Sequence, residues 1–305
     1  MTPFLGAGAS LFERETHDPW TLGESLPKAD ELARMLAEKS RYPDPAGAKD
    51  LLRVSQYFEA ARNEKELYKR LNEVFAIDYH PNTLHRFLAK LPAHLRALGK
   101  PPQLIITTNY DYTLERSFEE AGEPYDLVWY EAKKSDEAAF GKFWHKPPDG
   151  EAVVITSPNS YDAVAPNVRT VILKLHGTVV DRADAARNSF VVTENHYIDY
   201  LAGDIALPVK ITQRMATTNF LFLGYSMRDW NMRVILSRAW GHRPLGTSSW
   251  AIQLEPEGAQ AQIEEKLWKE RSEVTPLYAP LNEYVARLEA LVLAAAPEPA
   301  AGQTA

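Results

Sequence analysis

The chain has 305 residues, 45% hydrophobic and 25% charged, a balance that suits a soluble globular protein with a sizeable core. A formal charge of -7 and the lack of any Lys/Arg block argue against a main role in holding nucleic acid, which wants a concentrated basic patch. There is no cysteine, hence no disulfide and no Cys-ligated zinc, and no stretch reaches the roughly 20 apolar residues of a membrane-spanning helix.

In chain order, Thr2 to Leu5 reads as a first strand, shorter than the usual five or six residues, so the natural start is expected a few residues upstream. Residues 27–99 switch to helical periodicity, with Leu32, Met35 and Leu36, then Val54, Tyr57 and Phe58, then Leu67, Leu71, Val74 and Phe75, then Leu84, Phe87, Leu88 and Leu91: an all-helical insertion. Gln103 to Ile106 is the next buried strand and Tyr112 to Ala121 a helix stopped by Gly122. Asp126 to Tyr130 is a strand, and residues 142–168, rich in proline, form a loop and hairpin insertion. Val171 to Leu175 is a buried strand, Phe190 to Thr193 a short one, with helices from Glu194 and over Leu207 to Ala216. Asn219 to Leu223, Trp250 to Leu254 and Val274 to Leu277 are further strands, with helices over Asp229 to Trp240, Ile263 to Glu270 and Leu281 to Ala294. The tail 295–305 lacks the apolar content to order itself. Alternating strands and helices predict one α/β domain over 1–294, a Rossmann-like parallel sheet with helices on both faces.

Four short strings follow apolar strands and so belong at the carboxyl ends of one sheet, where open α/β folds bind ligands. They are Gly6-Ala7-Gly8-Ala9-Ser10, Thr107-Thr108-Asn109-Tyr110-Asp111, Leu173-Lys174-Leu175-His176-Gly177 and Leu223-Gly224-Tyr225-Ser226. Gly6, Gly8 and Ser10 suit a turn whose amides meet a diphosphate, or an ordinary glycine-rich turn; the third glycine and the following acid of the usual dinucleotide fingerprint are missing. Asn109 and Asp111 point the same way if the backbone is extended, and Asp111 also suits a helix cap. His176 is either a structural histidine at a strand end or a base, imidazole being suited to proton removal near neutrality. Gly224 and Ser226 read as a second cradle or a strand–helix turn, with Trp230 and Asn231 beyond it. His80, His85 and His94 lack the neighbours of a metal site and read as structural.

The order and residue types of these strings, with Pro81, His85-Arg86-Phe87-Leu88-Ala89, Leu114-Glu115-Arg116 and Asp229-Trp230-Asn231, resemble the sirtuin superfamily, in particular the bacterial sirtuin-like domain of defence-associated NAD hydrolases. The resemblance runs from about Pro3 to Leu293. It implies catalytic Asn109, His176 and Asp111, and NAD contacts from Gly6, Ala7, Gly8, Ser10, Thr108, Gly224 and Ser226. Asn109 would orient the nicotinamide ribose and a water, Asp111 would touch the carboxamide or fix its loop, and His176 would be the general base.

Protein-deacylating sirtuins carry a four-cysteine zinc module after the His-Gly string, and Thr178 to Phe190 here has no cysteine. Leu11-Phe12-Glu13-Arg14 also departs from their Pro-Asp-Phe-Arg segment. The expectation is therefore metal-free hydrolysis of NAD, taken as substrate, to nicotinamide and ADP-ribose in antiphage defence. Deacylation or ADP-ribosyl transfer, and a non-catalytic NAD or ADP-ribose sensor, are the alternatives. The N-terminus shows no basic region followed by an apolar one, so a cytoplasmic protein is expected; with no recognisable sensor beside the catalytic domain, homo-oligomerisation or a separate activator, such as a DNA-translocating ATPase or an Argonaute-like protein, is expected to switch it on.

Overall fold

The computed structural model describes residues 1–14, 19–180, 182, 185–203, 206–225, 249–255, 263, 266 and 274–294. Four runs are buried at every position: Thr2–Leu5 (β1), Leu104–Thr107 (β2), Thr170–Lys174 (β6) and Phe220–Leu223 (β9). Strands covered on both faces have no solvent side and read as continuous apolar runs. Tyr125–Tyr130 (β3), Phe143–Lys146 (β4), Val153–Ile155 (β5), Ser249–Gln253 (β10) and Val274–Tyr278 (β11) complete a nine-stranded sheet among the described residues, in the order β11-β10-β9-β1-β2-β6-β3-β4-β5.

Every neighbour pair from β11 to β3 is parallel, whereas β4 and β5 run antiparallel. The sheet is thus mixed at one edge, because the hairpin within 142–168 pairs directly with β3 instead of standing apart as an insertion. Gly177–Thr178 (β7) and Ser189–Phe190 (β8) form a separate antiparallel pair. Between them they replace the isolated strand expected at Phe190 to Thr193.

Alternation along each strand sends side chains to two cores. Phe4, Ile106, Leu173 and Phe222 pack with Ile211, Met215 and Tyr200 on one face. Leu5, Ile105, Ile172 and Leu223 pack with Leu84, Phe87, Leu114, Phe118 and Val285 on the other. The first face takes helices Glu194–Ala202 (α7) and Val209–Ala216 (α8); the second takes Thr83–Ala97 (α5), Thr113–Glu120 (α6) and the C-terminal helix Leu281–Ala294.

Gly8–Leu11 (α1) is a single turn after β1. Ala29–Ser40 (α2), Leu51–Ala61 (α3) and Glu64–Phe75 (α4) share a third core around Leu36, Val54, Leu67 and Leu71, which also takes Phe190 and Val192. Within the helical stretch, α2 to α4 are the separate layer and α5 belongs to the sheet. That layer is tied to the backbone just after β8 by Ser55 Oγ donating to Val192 O (2.7 Å), and Tyr110, in the loop after β2, donates its Oη to Val191 O (2.5 Å). Among the described residues no helix is long and apolar enough to cross a membrane. The expected helices at 229–240 and 263–270 and the tail 295–305 fall largely outside the described residues.

One row of the sheet decides where the four strings meet. Leu223 pairs with Leu5, Leu5 with Thr107, and Thr107 with Lys174. Parallel strands in this register run out of the sheet on the same side, so the loops that follow are neighbours in space.

His85, His176 and His196 are buried, and burial lowers their pKa values to about 4, about 3 and about 4. Such histidines stay neutral in the folded chain while the unfolded chain protonates below pH 6.5, so stability falls as pH drops from 6.5 toward 4. At pH 5 each is expected to cost about 2 kcal/mol, partly offset by Glu59, Glu115 and Glu131, whose carboxyls burial raises. Nuclear magnetic resonance titration should show these three imidazoles neutral at pH 5, with urea unfolding easier there than at pH 7; imidazoles already protonated at pH 6 would contradict this.

Candidate functional site

The loops after β1 and β9 touch backbone to backbone. Gly8 N donates to Gly224 O at 2.8 Å, and a Cβ on Gly8 would lie 2.7 Å from that oxygen. Gly224 has φ +62°, and a Cβ there would come within 1.9 Å of Ala9 N. Only glycine fits both positions. The amides of Gly8, Ala9 and Ser10 are all given to protein carbonyls, those of Gly224 (2.8 Å), Gly6 (2.9 Å) and Ala7 (3.1 Å). In this arrangement the glycines let loop meet loop, as the glycine-rich turn read beside the diphosphate cradle does.

Asn109 stands two residues beyond Thr107, and its own amide is held by Thr107 Oγ1 (3.0 Å). Its Nδ2 donates to Gly6 O and to Ser10 Oγ, both at 3.0 Å, and Ser10 Oγ donates onward to Asp111 Oδ2 at 3.3 Å. The Gly6 carbonyl can only accept, which sets the orientation of the Asn109 amide. Both Nδ2 hydrogens are then committed, leaving Oδ1 as the acceptor for a ligand hydroxyl or a water.

Asp111 turns inward. Its Oδ1 accepts Thr113 N at 3.1 Å and Thr113 Oγ1, so its carboxylate orders the start of α6 as well as the Ser10 contact. The N-cap position expected for Asp111 falls instead on Tyr112, which makes no side-chain cap bond; Asp111, one residue earlier, holds the first helical amide, that of Thr113. Asp111 is 6% exposed and still borders the cavity.

His176 is two residues beyond Lys174, the register partner of Thr107, so it and Asn109 leave adjacent strands at equal offsets. The imidazole is 4% exposed, packed edge-on against Tyr197 and Tyr200 at 5.3 and 6.1 Å between ring centres. Its Nε2 is buried without a hydrogen-bond partner among the described residues. A buried polar atom left unpaired costs about 1–3 kcal/mol and asks for an explanation. Gly177, at φ +84°, carries the chain away where a Cβ would sit 2.2 Å from Ser189 O.

These groups line one cavity of about 940 Å³, near the upper end for small-molecule sites. Ala7, Gly8, Ser10, Thr108, Asn109, Asp111, His176 and Gly224 all border it; Gly6 stands behind, offering its carbonyl to Asn109. Ser226, Trp230 and Asn231 lie outside the described residues. Sequence reasoning did not single out Tyr197, Gln253, Glu255 or Asn282, nor the apolar wall of Leu26, Leu32, Leu51 and Phe75 contributed by the helical layer. Arg14 and Lys28 bring positive charge, Arg14 being held by both oxygens of Glu31 at 2.6 and 2.8 Å.

Away from the cavity, Glu59, Glu64 and His196 are close enough to share an ion. His196 Nδ1, however, accepts the amides of Val192 (3.2 Å) and Thr193 (3.4 Å), which places the proton on Nε2 and opposes ligation through it.

Comparison with known proteins gives a matching picture. Residues 103–277, more than half of the chain, match the family described as SIR2-like domain. The chain is similar to NAD(+) hydrolase ThsA of Cytobacillus dafuensis, at 24% identity over 235 residues covering 77% of this chain and 37% of that protein. It is similar to NAD(+) hydrolase ThsA of Enterococcus faecium at 29% over 192 residues, 62% of this chain and 31% of that one. Defense-associated sirtuin 2 of Bacillus subtilis shares 23% over 235 residues, 77% of this chain and 18% of its own length. The chain thus spans less than two fifths of these curated relatives. With the family match over most of the sheet and the four strings gathered on one cavity, the chain belongs to the SIR2-like domain family.

Proposed function

We propose that this chain hydrolyses the N-glycosidic bond of NAD, releasing nicotinamide and ADP-ribose, as an antiphage activity. The observation that carries the reading is that a locked Asn109 amide borders the same cavity as His176, whose buried Nε2 has no hydrogen-bond partner among the described residues. The names of the relatives, two of them NAD(+) hydrolases, support it.

Nicotinamide leaves readily because its ring nitrogen is cationic, so the enzyme has to position the ribose, tolerate an oxocarbenium-like transition state and admit water. Asn109 Oδ1 accepts from the ribose hydroxyl or the water. His176 takes the proton. A protonated imidazole would repel the developing cation, and burial keeps this one neutral, with its pKa lowered to about 3. Asp111 works through the loop, holding Ser10 and Thr113. Among the described lining residues, the cationic side chains are Lys28 and Arg14, the latter ion-paired with Glu31.

Activity is expected to depend on self-association or on a separate activating protein, in the cytoplasm. The outer faces of the helical layer and of the hairpin strands β4 and β5 supply surface for such contacts.

Purified protein given NAD alone should release nicotinamide without any peptide. Asn109→Ala and His176→Ala should each lower that release by about 100-fold or more while the circular dichroism spectrum is retained; parental rates in both variants would refute the assignment. Since the folded His176 titrates far below 6.5, kcat/KM should stay level from pH 8 to about 5 and fall only below that. An acid limb centred near 6.5 would show that the base is another group. Gel filtration with parallel assays should find activity confined to an assembled or partner-bound form; a constitutively active monomer would dismiss the regulatory part.

A further inference from the structure

Lys174 and Glu115 form an ion pair that the cavity does not explain. Lys174 Nζ lies 2.7 Å from Glu115 Oε1, with the side chains 1% and 0% exposed. The same Nζ donates to the main-chain carbonyl of Asp111 at 2.6 Å. The second oxygen of Glu115 is buried without a partner among the described residues. Leu114, directly before Glu115, and Ile172, two residues before Lys174 on β6, belong to the apolar core on that side of the sheet.

Removing two charges from water costs several kcal/mol per ion, and well-packed apolar residues in place of such a pair are often neutral or stabilising. Stability is therefore a poor reason for this pair. Its placement offers a better one. Lys174 ends β6 two residues before His176, Glu115 is in the first turn of α6, and the carbonyl they secure belongs to the loop that carries Asn109. From Asp111 the connection continues through Ser10 Oγ to the Asn109 amide. Among the described residues, the other titratable groups that interact with the pair are Asp111, Tyr112, Tyr125 and His85, whose Nε2 lies 3.5 Å from Thr113 Oγ1.

We propose that Lys174, seated by Glu115, is a positioning residue: it fixes the Asp111 carbonyl to the strand bearing His176 and so sets Asn109 against the imidazole. This rests on the hydrolase reading for its kinetic consequence, and on the structure alone for its mechanical one. A displacement of about 1 Å in a group of this kind can lower a rate by about 100-fold without abolishing binding.

The test uses the full chain carrying Lys174→Met with Glu115→Met, and separately Glu115→Gln, read by thermal unfolding, kcat and KM for nicotinamide release, and amide hydrogen exchange over residues 108–112 without nucleotide. The apolar double variant should keep its melting temperature within about 5 °C. Its kcat should fall by about tenfold or more with KM changed by less than about threefold, and exchange over 108–112 should quicken. Glu115→Gln, which keeps the side-chain volume, is the second arm if the double variant does not fold; it should lower kcat and quicken the same amides together. Parental kcat, or lowered kcat with unchanged exchange, in whichever variant folds overturns the proposal. If the parental protein releases no nicotinamide, the hydrolase reading fails by itself, and exchange still decides whether Lys174 holds the loop.

Discussion

The site depends on one row of backbone pairing. Leu223, Leu5, Thr107 and Lys174 stand side by side on four adjacent parallel strands, and everything chemical begins one or two residues later. Shifting any one strand by a residue would turn its side chains to the other face and pull its loop away from the other three. The buried apolar faces prevent that slip, because Phe4, Ile106 and Phe222 belong to one core while Leu5, Ile105 and Leu223 belong to the other. Packing of the sheet is thereby converted into placement of Asn109 and His176.

Above that row, the loops are held by protein atoms before any ligand arrives. Gly8 meets Gly224, Asn109 meets Gly6 and Ser10, Ser10 meets Asp111, and Lys174 meets the Asp111 carbonyl. Such preorganisation leaves little to rearrange when a ligand binds. The imidazole is the exception. Its Nε2 is buried and has no hydrogen-bond partner among the described residues.

The helical layer gives the cavity its apolar side. Leu26, Leu32, Leu51 and Phe75 border it with the polar loops, while the same layer holds β8 and the residue pair after it through Ser55 and Tyr68. Movement of these helices would alter both the cavity wall and the strand pair that leads away from His176.

Much was legible beforehand because continuous apolar runs ending in Gly, Asn or His are short-range signals: β1, β2, β6 and β9, the four strings and the helical stretch all follow from local pattern. The residues themselves determined that Asn109, Asp111 and His176 would leave strand ends. Only the tertiary structure decided what each does there. Spacing could not show that Asp111 spends its carboxylate on Ser10 and Thr113, that the glycines serve loop-to-loop contact, or that a lysine in an apolar strand would find Glu115 across the core. A hydrogen bond or ion pair between residues 59 to 101 positions apart depends on the register and helix packing that bring them together, and no local pattern carries that information.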